Sequence, residues 1–284
     1  MRLISAVKTS LLAFTAALLA FSANPIMAQD TPADGGAAAS AERIDIDKDN
    51  FIEGNLYFVM YHELGHALIS EFNLAVVGRE EDAVDGLSTY QIRPQDDQTT
   101  PDYLMGAIKG WFLMAANTNL NDIAWWDEHG TSQQRAFNIA CLLYGADPKL
   151  FKDAADIVNL PEDRRQSCEH DAMMNETSWD ALLAEDSYKE NEKVADDVKA
   201  PEVIYQPTEK YSAQMEYIKK LGILEDTAEY MRTSYKFKSG IKLQAAECGQ
   251  VNAFWSSDDR SLTMCYELVD AYQAMADKTD VPAE

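Results

Sequence analysis

The chemistry written most plainly into this chain lies in Tyr61-His62-Glu63-Leu64-Gly65-His66-Ala67-Leu68-Ile69, an H-E-x-x-H pattern. On a helix, residues i and i+4 share one face, about one turn apart. His62 and His66 can therefore aim two imidazoles at one ion, expected to be Zn2+. Glu63, one residue on from the first histidine, can reach the water that such an ion activates rather than the ion itself. A catalytic zinc takes three protein ligands and keeps a fourth position open. The motif supplies two, so a third must come from elsewhere.

The acidic stretch Val77-Gly78-Arg79-Glu80-Glu81-Asp82-Ala83-Val84-Asp85-Gly86 offers it. Glu81 is the expected third ligand. Asp85, four residues on, is the expected carboxylate that fixes a ligand histidine through its other ring nitrogen. Glu80 and Asp82 compete with Glu81 for the ligand role. The plainer reading of the whole stretch is a solvated helix start favoured by the helix dipole. The chain has four histidines. His129, in Trp125-Trp126-Asp127-Glu128-His129-Gly130, is the remaining catalytic candidate, because an imidazole opposite the metal can stabilise an oxyanion. A purely structural His129 is the alternative. The two tryptophans suit the core better than a substrate wall. His170 sits in a polar context and reads as a surface residue.

These side chains need helices to position them. From about Glu53 to Phe72 the apolar residues surround most of a helix, which predicts burial. Two histidines and a carboxylate on a buried helix require a compensating partner, and a metal supplies one. Gly78 lets the chain turn back into a second helix over Glu81–Tyr90. Residues 91–102 read as a loop, and Asp102–Asn119 as an apolar helix. Gln133–Tyr144 is helical with Gly145 as its cap. New helices start at Asp147-Pro148 and at Leu160-Pro161. Ser178–Leu183 reads as a short amphipathic turn with Trp179 packed. Residues 185–207 are charged and poor in apolar side chains, as a linker would be. Lys210–Tyr235 is helical. Ile241–Gln244 and Leu262–Cys265 then alternate with period two, which predicts a hairpin about Ser256–Asp259. Tyr266–Met275 leaves as a helix. The expected class is α+β, predominantly helical, with a small β-hairpin or sheet.

Composition bounds the function. The chain has 284 residues, 46% of them hydrophobic, enough for one large core or two small ones. Its net charge of −24 repels phosphate backbones, which argues against nucleic-acid partners and anionic membrane surfaces. Residues 1–28 read as a secretory signal: Arg2 and Lys8, an apolar run from Leu11 to Phe21, and cleavage after Ala28. The run is short for a retained anchor. The expected product is periplasmic or secreted, with no stable membrane insertion after signal removal. Four cysteines in an exported chain suggest two disulfides. Three pairings are possible, and the sequence-local one, Cys141–Cys168 with Cys248–Cys265, is favoured; folding the predicted hairpin brings Cys248 towards Cys265. No C-x-x-C spacing supports a cysteine metal site. Asp45-Ile46-Asp47-Lys48-Asp49 opens like a calcium loop, but Asn50 and Leu56 stand where glycine and glutamate are needed, so it reads as an acidic helix lead-in.

The expected organisation is a signal peptide (1–28), a flexible acidic N-terminus (29–50), a metal-site helical region (51–184), an acidic linker (185–207), a helix and β-hairpin packing on the same domain (208–276), and a tail (277–284).

Taken together, HELGHALI at 62–69, GREEDAVD at 78–85, DEHGTSQQR at 127–135, CLLYGADP at 141–148, CGQVNAFW at 248–255 and CYEL at 265–268 resemble a bacterial family of zinc metallopeptidases of unknown function. The resemblance touches nearly the whole chain from about residue 51, apart from the acidic linker. In that family the CG…NAF…CYEL block precedes the HELGH helix; here it follows, an apparently permuted order. The resemblance implies a zincin-like domain, with His62, His66 and a glutamate of the GREED block on the metal, and a sheet against the metal helix, here supplied from the C-terminal end. The expected activity is hydrolysis of peptide or protein substrates, with Glu63 as general base. The alternatives are a non-catalytic exported zinc-containing binding protein and a latent enzyme covered by residues 185–207.

Overall fold

The computed structural model describes residues 46–93, 102–189 and 191–279. The expected signal peptide and its cleavage site, and most of the 29–50 terminus, lie outside the described residues. No helix among those described is long and apolar enough to cross a membrane.

The fold is built on α1 (Lys48–Phe72), the helix that carries the H-E-x-x-H pattern. It starts five residues earlier than expected. Asp47 caps it, its carboxylate accepting from the Asp49 and Asn50 N–H groups, so the acidic lead-in is the N-cap and first turn. The helix ends at Asn73 in the left-handed region. Phe51, Leu56, Phe58, Met60, Leu64 and Leu68 are all buried, on several faces. Such a helix is held by packing rather than by its own propensity.

Two helices flank α1. After α2 (Glu80–Gln91), helix α3 (Asp102–Ala116) crosses so tightly that a Cβ on Gly54 would stand 1.8 Å from Tyr103 O. A Cβ on Gly65 would meet Val84 Cγ1 of α2 at 2.7 Å. Gly65 thus lets α2 lie close against the H-E-x-x-H segment. A 3-10 turn (Leu120–Asp122) leads to α4 (Ser132–Ala146), opened by a Thr131–Gln134 capping box. Helices α5 (Lys152–Ile157) and α6 (Glu162–Leu183) follow. The expected turn at Ser178–Leu183 is the last part of α6, with Trp179 buried. The Cys141–Cys168 disulfide joins α4 to α6. Closing a loop of 27 residues removes unfolded-state entropy worth about 3.5 kcal/mol.

The C-terminal part contributes β1 (Glu202–Tyr205), α7 (Ser212–Leu221), α8 (Ile223–Ser234), β2 (Lys242–Ala246), β3 (Ala253–Ser256), β4 (Ser261–Cys265) and α9 (Tyr266–Thr279). The helix expected over Lys210–Tyr235 is interrupted at Gly222, whose φ of 71° no regular helix tolerates. Strand β1 falls inside the acidic 185–207 stretch. The sheet order is β1-β2-β4-β3. The predicted hairpin needs correcting. β2 and β4 do pair, but parallel, with Leu243 opposite Leu262. The Ser256–Asp259 turn instead joins β3 to β4, which run antiparallel. The Cys248–Cys265 disulfide forms as expected.

The architecture is α+β and predominantly helical. β3 is an edge strand and lies beside α1. Arg260, at the β3–β4 turn, grips Glu71 of α1 with a two-pronged ion pair, Nε to Oε1 at 2.7 Å and Nη2 to Oε2 at 2.6 Å.

Candidate metal centre

Three imidazoles converge on one carboxylate oxygen. Glu81 Oε2 lies 3.1 Å from His62 Nε2, 3.5 Å from His66 Nε2 and 2.9 Å from His129 Nε2. His62 and His66 come from adjacent turns of α1, Glu81 from the first turn of α2, and His129 from the turn before α4. Each imidazole also has a carboxylate on its other nitrogen. Nδ1 of His62 meets Asp85 Oδ1 at 2.8 Å, that of His66 meets Glu80 Oε1 at 2.8 Å, and that of His129 meets Asp127 Oδ1 at 3.0 Å. A carboxylate there holds the Nδ1 proton and leaves the Nε2 lone pair free for a metal.

The arrangement fits an ion. Glu81 Oε2 is buried, and despite three nearby ring nitrogens it accepts no aligned hydrogen bond. A buried carboxylate oxygen without a donor is costly. Ligand atoms of one tetrahedral ion stand about 3.3 Å apart when bonds are about 2.0–2.1 Å. The three contacts bracket that separation. Ligand atoms of His62, Glu81 and His129 all lie within 4.8 Å of one another, a group that His66 borders through its 3.5 Å contact with Glu81 but does not join.

The electrostatics point the same way. Burial pushes the His66 imidazole down, but Glu81 and Glu80 outweigh it and lift its pKa to about 9. His62 is likewise raised against its burial, by Asp85 and Glu81. Glu81 resists its own burial and is held well below the usual carboxylate range by His62 and His66. The neighbouring carboxylates thus favour the protonated forms of His62 and His66. A divalent cation would take the place of those protons.

Glu63 stands beside this cluster, and its Oε2 accepts the Trp255 N–H of β3 at 3.0 Å. Burial raises its pKa, more than the neighbouring His62 and His66 lower it. A glutamate lifted above its ordinary value is a better proton acceptor.

The support behind His62 is a buried network. Arg135 of α4 donates from Nε to Asp85 Oδ2 at 2.7 Å and from Nη2 to Oδ1 at 2.5 Å. Its guanidinium lies 3.6 Å from the Trp111 ring centroid. Asp85 is buried, which pushes its pKa up, but Arg135 and His62 hold it below the carboxylate range.

The chain matches the model of the DUF4344 family, described as "Putative metallopeptidase", over residues 29–183 and 205–283. The chain belongs to this family. No curated protein and no solved structure gives a match. A metallopeptidase family implies a metal ion, and the His/Glu cluster is where this DUF4344 member can hold one.

The structure brings His62, His66, Glu81, Asp85, Glu63 and His129 together. Glu80 meets His66 Nδ1, and Asp82 pairs with Arg79 at 2.9 Å. His170 is exposed. Trp125 and Trp126 are 72% and 86% exposed, so the expected core role is wrong for both. Arg135, Asp127 and the Trp255 N–H are partners that residue spacing does not disclose. The DEHGTSQQR block contains two of them, and its resemblance to the family was the available signal. A cavity of about 300 Å³ opens beside His129, lined in part by Trp111, Ile123, Ala124 and Arg135.

Proposed function

We propose that this DUF4344 member is an exported, zinc-dependent peptidase with a zincin-like site. The observation that carries the reading is the convergence of His62, His66 and Glu81 with the raised carboxylate of Glu63 alongside. Two nitrogen donors and one carboxylate suit zinc. Zinc bound there would polarise a scissile carbonyl and acidify a water towards neutral pH. Glu63 is placed to accept a proton from an attacking water at its carboxylate and to hand it to the leaving amine. The Trp255 N–H holds the Glu63 carboxylate in place for both transfers. Asp85 and Glu80 keep the Nδ1 protons of His62 and His66 and orient their rings.

Substrate is a peptide or protein. β3 is an edge strand next to Glu63, and an extended peptide can pair with such an edge through its backbone. Export, to the periplasm or outside the cell, is supported by two disulfides and the absence of free cysteines among the described residues. A chain with permuted block order would still assemble this site, because the sheet reaches α1 from the C-terminal end.

The test is Glu63→Gln. Zinc stoichiometry should stay near one per chain, while hydrolysis of an accepted peptide falls about 100-fold or more. Undiminished hydrolysis would remove Glu63 from the mechanism. The second reading, a non-catalytic zinc-containing binding protein, is favoured by one observation: a third imidazole, His129, already faces the place where a substrate would meet the ion.

A further inference from the structure

His129 was expected across the cleft from the metal, at the oxyanion. Its Nε2 is the ring nitrogen nearest Glu81 Oε2, at 2.9 Å, closer than His62 at 3.1 Å or His66 at 3.5 Å. Its ring lies nearly parallel to that of His62, 19° between planes and 6.3 Å between centroids. Its Nδ1 is engaged by Asp127, as Asp85 engages His62 and Glu80 engages His66. Asp127 also accepts the His129 backbone N–H at 2.8 Å, which fixes the turn that carries the ring. All three imidazoles thus show the arrangement expected of a metal-bound histidine: carboxylate behind, Nε2 forward.

We propose that His129 is a further protein ligand of the metal centre, carried on an exposed turn. This rests on the metal reading above. The side chains of His62 and His66 are 5% and 17% exposed, whereas that of His129 is 46% exposed. The first two are built into a buried helix. The third sits at the surface between Asp127 and Gly130, with Trp125 and Trp126 projecting into solvent just before it. With His129 bound, protein groups fill the fourth position and the centre is closed. Hydrolysis needs that position open. The centre would then be latent until His129 is displaced.

The test uses the whole mature chain loaded with Co2+ as a spectroscopic stand-in for Zn2+. Wild type, His129→Ala, His129→Asn and His66→Ala are compared by visible absorption and by chelator competition. If His129 is a ligand, both of its variants bind Co2+ at least about tenfold more weakly. Their absorption changes as water replaces imidazole, and added imidazole restores the wild-type spectrum. Thermal unfolding of the metal-free variants should match wild type, since the turn is exposed. If both His129 variants keep wild-type affinity and spectrum while His66→Ala loses the metal, the ligand role of His129 is overturned and the metal centre stands. If wild type binds neither Co2+ nor Zn2+, the metal centre itself falls, and this proposal with it.

Discussion

Asp85 Oδ1 lies 2.8 Å from His62 Nδ1, and Arg135 Nη2 donates to the same oxygen at 2.5 Å while its Nε holds Oδ2 at 2.7 Å. The three residues come from α2, α1 and α4. One buried carboxylate therefore both orients the His62 imidazole and joins three helices. Breaking a buried pair leaves an uncompensated charge, which costs about 3–5 kcal/mol. Replacing the group behind a ligand histidine lowers metal affinity about 10–100-fold. Arg135→Met should lower stability by roughly the first amount, read from urea unfolding of the metal-free chain. Asp85→Asn should reduce zinc affinity by roughly the second, read by chelator competition. Unchanged affinity in Asp85→Asn would show that His62 keeps its ring orientation without the carboxylate.

The parts that sequence made readable are those set by local periodicity. His62 and His66 share a face because a helix repeats every 3.6 residues, and Glu81 and Asp85 do so for the same reason. Arg135 was unreadable as a partner because it depends on how α4 crosses α2, a tertiary fact. The sheet was misread for a related reason. A turn signal between two period-two runs suggests a hairpin, yet β2 and β4 pair parallel while the turn belongs to β3. Parallel pairing is settled by distant connections rather than by adjacent residues. β1 was hidden because Glu202–Tyr205 sits in strongly charged surroundings. Trp125 and Trp126 misled because hydrophobicity states a preference for burial, not a position.

Gly65 separates α1 from α2 by no side chain at all. A Cβ there would stand 2.7 Å from Val84 Cγ1 and 2.8 Å from Val84 Cβ. Val84 is buried and belongs to the helix that brings Glu81. Gly65→Ala must push α2 outward or force Val84 off its rotamer, an overpacking cost of about 1–3 kcal/mol. Gains in helix propensity recover under about 1 kcal/mol of it. The expected outcome is a net loss of stability together with weaker zinc binding. Gly65→Ala with Val84→Ala should recover part of both. A fully stable single variant that binds zinc normally would show that the two helices can shift without disturbing the site.

Arg260 ties the sheet to the metal helix through Glu71, with two parallel contacts of 2.6 and 2.7 Å. Its guanidinium also donates to the Ser239 carbonyl at 2.8 Å. The fork fixes where β3 lies, and β3 presents the Trp255 N–H to Glu63. Arg260→Lys keeps the charge but not the planar pair of donors. It should cost about 1 kcal/mol in stability. If substrate hydrolysis can be followed, kcat should fall more than zinc affinity, since Glu63 and not the ligand set is displaced. Equal losses in both would mean that Arg260 supports the whole of α1.

Glu267, in the first turn of α9, gathers the N–H groups of Cys248 and Gly249 onto its carboxylate, the shortest contact being Gly249 N to Oε1 at 2.8 Å. Burial pushes its pKa up, but these donors and its own backbone N–H outweigh that and hold it below the ordinary glutamate value of 4.5. A carboxylate with a depressed folded-state pKa stabilises the fold above the unfolded value. That contribution is lost as pH falls through the folded value. Glu267→Gln should therefore be less stable than wild type by about 1 kcal/mol at pH 6–8. The gap should be constant there and narrow as pH falls below about 4.5, read from melting temperatures across the acid limb. The residues involved surround the Cys248–Cys265 disulfide, so the comparison is made with that bond intact. A gap that persists unchanged to pH 2 would assign the loss to packing of the side chain rather than to its charge.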